Sequence, residues 1–140
     1  MSENEGVRLD QIALDTEGVE GGVWTELSAG FDVKVRSINS RKVKDIQRKH
    51  NAQNRKYTMR RKQIPSALQE KQALELVCDG FLVDWRKRLD MDGEPYAFTS
   101  ENVWAFFSDA RFAHLLDEVS DFALDASEFM AEDEAEELGN

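Results

Sequence analysis

Apolar residues recur along this chain with two periods. Leu74, Val77, Cys78, Phe81 and Trp85 fall at i, i+3, i+4, i+7 and i+11, the stripe of a single helix face. This spacing predicts one long amphipathic helix from Ser66 to Trp85. Ser66 is its expected N-cap, with Gln69 three residues on as in a capping box, directly after Pro65. Asp92-Gly93 then predicts a tight turn, because glycine takes the positive φ that other residues resist. Thr99 or Ser100 is placed to cap a following helix, with Glu101 in its first turn, where the helix dipole favours an acid. Phe112, Leu115, Leu116, Val119, Phe122 and Ala123 repeat the helical spacing, with Asp109 as the expected cap.

Upstream the period is two. Val23-Trp24-Thr25-Glu26-Leu27 and Phe31-Asp32-Val33-Lys34-Val35-Arg36 alternate around Ser28-Ala29-Gly30, which predicts a β-hairpin. A lone hairpin is marginal in water. It is therefore expected to lay Trp24, Phe31, Val33 and Val35 on the helix bearing Val77, Phe81 and Trp85. Asn39 or Ser40 caps a further helix running toward Lys62. Residues 1–22, acidic and glycine-containing, are expected to form a loosely ordered arm. After Asp125 the apolar content thins, which predicts an acidic C-terminal helix or tail over 129–140. The expected fold is mainly α, with a small N-terminal β-hairpin packed on a bundle of about four to five helices and a single domain over 23–128.

Charge adds a polarity that hydropathy does not show. The 140-residue chain carries a formal net charge of −10, yet Lys34 to Lys62 holds twelve Lys or Arg against a single acid, Asp45. The acidic ends argue against nucleic acid as the partner of the whole molecule. The stretch Arg41–Lys62 by itself has the composition to neutralise phosphates, although Tyr57 is its only aromatic. The lone cysteine, Cys78, lies on the apolar stripe and reads as a buried reduced thiol. No cationic, cleavable N-terminus and no run of about 20 apolar residues is present, so a cytoplasmic protein without a membrane span is expected.

Little in the sequence carries chemistry. His50 and His114 have no ligand-spaced partners, and no phosphate loop or nucleophile–base pair is present, so no catalysis, cofactor or metal is expected. Asp90, Asp92, Glu94 and Glu101 have part of the spacing of a calcium loop. Pro95, however, stands where that loop needs a glycine, so calcium binding is not expected. The densest feature is aromatic. Trp104 and Phe107 share a helix face while Phe106 points elsewhere, so either one side is core and the other an exposed aromatic contact, or both sides are core. Trp104 and Phe107 are the candidate partner-binding residues.

Several of these residues together resemble a known family. Trp85, the run Asp92-Gly93-Glu94-Pro95-Tyr96-Ala97-Phe98-Thr99-Ser100-Glu101-Asn102, then Asp109-Ala110-Arg111-Phe112, Phe129 and the acidic end at Gly139-Asn140 are similar to the tail assembly chaperones of long-tailed, siphovirus-like bacteriophages and prophages. The hairpin and the basic helix fit as well, so the likeness spans roughly Gly22 to Asn140. The resemblance implies a non-structural protein of the host cytoplasm, absent from the finished virion. It would hold the tape measure protein soluble and help recruit tail tube protein, with self-association into a homo-oligomer a further option. It supplies no catalytic residue. The rival expectation is a nucleic-acid-associated regulator that uses the basic helix 41–62.

Overall fold

A computed structural model describes residues 6–87 and 92–131. Among the described residues the fold is mainly helical, 57%, with five α-helices and a small three-stranded antiparallel sheet. Strands β1 (Val23–Glu26) and β2 (Asp32–Val35) form the expected hairpin. Its turn closes through Leu27 N–H to the Phe31 oxygen at 2.9 Å, with Gly30 at φ +94. The helices are α1 (Thr16–Gly21), α2 (Arg41–Thr58), α3 (Ser66–Glu75), α4 (Ser100–Phe107) and α5 (Ala113–Leu124). No helix among the described residues is long and apolar enough to cross a membrane.

The expected long helix is two elements and a junction. Helix α3 ends at Glu75, a widened π turn spans Leu76–Phe81, and the chain then extends as β3 (Leu82–Arg86) along β2. Trp85 is therefore a strand residue, paired with Val33, and not the last turn of a helix. A register shift between Lys34 and Val35 explains how Leu82 and Trp85, three apart, both face inward. The π turn is the centre of the molecule. Its Val77, Cys78 and Phe81 are buried, and Gly80 lets α2 approach so closely that a Cβ there would stand 3.2 Å from Ile46 Cδ1. Arg36 binds this turn from the sheet side, its main-chain N–H to the Phe81 oxygen at 2.6 Å and its Nη1 to the Gly80 oxygen at 2.9 Å.

Two further expectations change. Trp24 pairs with Lys34, so it faces away from Val33 and Val35 and lies outside the core. There the Arg86 guanidinium stacks on its ring at 4.1 Å. The arm over residues 1–22 is not loose throughout. Asp15 caps α1, Val19 is buried, and Leu14 bridges Met130. Asp15 N–H reaches the Phe129 oxygen at 2.7 Å, and Ala131 N–H reaches Ala13 at 2.8 Å. The expected acidic tail over 129–140 thus begins with a core residue, Phe129, 1% exposed, while residues 132–140 lie outside the described residues.

The caps were partly foreseen. Ser40 Oγ accepts from Val43 N–H, and Thr99 Oγ1 from Asn102 N–H at 3.1 Å. Ser66 does not cap α3; Pro65 occupies the N-cap and its carbonyl oxygen accepts from Gln69 N–H. Asp109 caps a 3₁₀ turn, Ala110–Phe112, that leads into α5. The basic helix stops at Thr58, short of Lys62.

Candidate functional site

The resemblance pattern folds around Trp85. Its indole N–H donates to the Tyr96 oxygen at 2.6 Å, and Tyr96, Phe98 and Phe106 pack on its ring at 5.3, 5.2 and 6.1 Å. Asn102 Nδ2 donates back to the Ala97 oxygen at 2.9 Å, locking the entry to α4. These residues set the position of α4, and with it both candidate contact aromatics. Gly93 has φ +81, as a glycine turn requires. Asp90, the first residue of the calcium test, lies outside the described residues.

The two aromatics are placed differently. Trp104 is half-buried and its indole N–H donates to Asp79 Oδ1 at 2.9 Å, which ties α4 to the π turn. Phe107 is 3% exposed, so it is not a protruding contact. Phe106 is equally buried, so both sides of α4 reach the core.

Phe107 instead forms the floor of an open groove between α3 and α5. Ala73 and Leu74 of α3, Ala110 before α5, and Ala113 and Leu116 of α5 complete its apolar lining, and its volume is about 360 Å³. The cause is side-chain size. Where two helices would interlock through large residues, three alanines leave the ridge missing and the groove open. Its rim is acidic, with Glu70, Asp109 and Asp117. Asp109 is engaged by Arg111, whose hydrogen bonds hold its carboxyl below the usual aspartate range. Glu70 and Asp117 are exposed, and among the described residues neither is in an ion pair. Leu74 and Leu116 were legible as stripe residues. The alanines were not, since alanine on a helix carries no facing signal of its own.

The basic helix α2 lies on the other side of α3. Its first turns dock through Val43, which is fully buried. Further along, the contact is polar: Glu75 accepts from Lys49 Nζ at 2.7 Å and lies 2.6 Å from His50 Nε2, and Gln72 hydrogen-bonds Gln53 and Asn54. The Lys49 and His50 contacts hold the Glu75 carboxyl below its usual range. Beyond this contact the cations of α2 stand in solvent. Burial, and secondarily the Asp79 charge, pushes the Cys78 thiol up to about 12. Among the described residues no group of three or more His, Cys, Asp or Glu is arranged to hold a metal ion.

The fold is that of a small, mainly helical protein with an open apolar groove between α3 and α5 and a basic helix on the other side of α3. Residues 34–140 match the family described as the YdaY prophage protein, and the chain belongs to that family. The match runs from β2 to the C-terminus and takes in the π turn, the Trp85 cluster and the groove. It places the chain among bacteriophage and prophage proteins. No curated protein and no solved structure matches.

Proposed function

We propose that this prophage protein is a tail assembly chaperone that binds and solubilises the tape measure protein and helps recruit tail tube subunits in the host cytoplasm. The observation that carries the reading is the groove: an open apolar trough floored by Phe107, Leu74 and Leu116. Such a trough suits one face of an amphipathic helix, whose apolar residues at i, i+3 and i+4 enter while its polar face stays wet. A tape measure protein exposes apolar helical stripes before the tube covers it, and such stripes self-associate. Covering part of each stripe with a partner of net charge −10 adds repulsion between complexes. The likeness of Asp92–Asn102 to the chaperone pattern supports the same reading, because those residues position the helix that bears the groove floor.

The test is co-expression with a prophage tape measure protein. The proposal expects the client to stay soluble and to co-purify. It expects Ala73→Arg with Ala113→Arg, which fills the groove from two exposed positions, to abolish capture without lowering the melting temperature. A client equally soluble without this chain overturns the reading.

A further inference from the structure

Helix α2 has two unlike faces. Val43, Ile46, His50, Asn54 and Tyr57 recur at helical spacing and are buried or half-buried. The opposite face is exposed and cationic along its length. Lys42, Lys49 and Lys56 recur every seven residues and form one flank, while Lys44 and Arg55 form the other. Arg41, Arg48 and Ala52 stand on the crest between the flanks. Asp45, the one acid of α2, pairs with Arg48 at 2.7 Å, and Lys49 pairs with Glu75 at 2.7 Å. Among the described residues Arg41, Lys42, Lys44, Arg55 and Lys56 are in no ion pair.

These charges do not serve the stability of the helix. Its first turn holds Arg41, Lys42 and Lys44 and no acid, at the end where the helix dipole is itself positive. Glu20 of α1 brings a counter-charge there, its carboxylate accepting from Arg41 N–H at 3.0 Å. The acids of the groove rim, Glu70, Asp109 and Asp117, lie across α3. A helix is about 10 Å thick, and screening at physiological salt acts over about 8 Å, so those acids do little to neutralise α2. The net charge of −10 is thus segregated away from this face, which is left for an anion from outside.

We propose that the solvent face of α2 binds duplex DNA, with its crest in the major groove and its flanks on the phosphates of the two strands. The eighteen residues of α2 extend about 27 Å, and a helix about 10–12 Å across fits a major groove about 12 Å wide. A single strand is disfavoured, because it needs exposed aromatics for stacking and Tyr57 is half-buried on the docked side. Duplex RNA is disfavoured too, because its deep, narrow major groove excludes a helix. On the crest Arg48 is engaged by Asp45 and Ala52 has no polar group, so little is offered to base edges. Binding is therefore driven by phosphates and tolerant of sequence. The inference goes beyond the chaperone reading and does not depend on it, since the groove lies on the other side of α3.

Fluorescence anisotropy of a labelled duplex of about 20 bp, titrated with the full chain between about 50 and 200 mM salt, tests it. The expected result is a micromolar Kd whose logarithm changes with log salt by a slope of about 4 in magnitude, from the five unpaired cations. Single-stranded DNA and duplex RNA of the same sequence are expected to bind about tenfold more weakly. Lys44→Gln with Arg55→Gln should flatten the slope by about 2. Lys42→Glu with Lys44→Glu should raise the melting temperature, because acids suit the first turn, and yet weaken binding about tenfold. A purely structural face would not separate stability from binding in this way. No binding up to about 100 µM at the lowest salt, or variants that bind like the wild type, overturns the inference. So does equal affinity for single-stranded DNA or duplex RNA. Polyglutamate that binds as tightly as the duplex also overturns it and assigns the face to an acidic protein segment.

Discussion

The indole N–H of Trp85 donates to the main-chain oxygen of Tyr96 at 2.6 Å, and this bond fastens the loop between β3 and α4 to the sheet. Trp85 is 5% exposed and packs on three aromatic rings, so its removal leaves a cavity and breaks this hydrogen bond. Trp85→Ala is expected to cost about 3–5 kcal/mol in urea denaturation. Trp85→Phe keeps much of the packing and is expected to cost less, with about 0.5–1.5 kcal/mol assigned to the lost hydrogen bond. A midpoint unchanged in Trp85→Ala would contradict the placement.

Gly22 joins α1 to β1 at φ +96, and a Cβ there would stand 3.0 Å from both Lys34 Cγ and Val83 Cγ2. Gly22→Ala is expected to destabilise by about 1–3 kcal/mol, from backbone strain and crowding together. Gly30→Ala provides the comparison. It has φ +94 but nothing within 4 Å, so only the backbone contribution should appear.

Glu75 joins α2 to α3 through Lys49 and His50, and its carboxyl is held below the ordinary glutamate value of 4.5. A depressed carboxyl contributes stability that is complete above the ordinary value and is lost as pH falls through the folded one. Wild-type melting temperature should therefore drop below pH 4.5 more steeply than that of Glu75→Gln, and the two curves should converge in acid. Parallel curves across this window would show that the contact does not act on stability.

Cys78 is 7% exposed and its thiol is pushed up to about 12, so the reactive thiolate is scarce at neutral pH and sterically covered. In the native protein at pH 8 a thiol reagent is expected to react only as fast as the chain opens. In denaturant the full equivalent should react at once. Rapid native labelling would place Cys78 at the surface.

Local patterns were legible wherever one element decides its own outcome. The hairpin around Gly30, the caps Ser40 and Thr99, and the helical stripe from Leu115 to Ala123 each rest on neighbours a few residues apart. The segment after Glu75 was not legible in this way. Phe81 and Trp85 fit a helical stripe, but Leu82 to Arg86 is bound by pairing with Val33 and Val35, about fifty residues away, which no local window contains. Trp24 was misplaced for a related reason: alternation shows that a strand has two faces, but not which one the core takes. At the candidate site, Phe107 was found as an aromatic and its role was not. The groove is made by what Ala73, Ala110 and Ala113 fail to fill, and missing volume has no signature in a single sequence.

The central claim is that the groove over Phe107 captures an apolar helix of the client. The most direct measurement is a methyl-labelled NMR titration of the full chain with a helical peptide from the tape measure protein. The account predicts saturable shifts at Ala73, Leu74, Ala110, Ala113 and Leu116, with Val33 and Val43 in the core unmoved. Shifts confined to α2, or none at peptide concentrations that saturate co-purification, would contradict it.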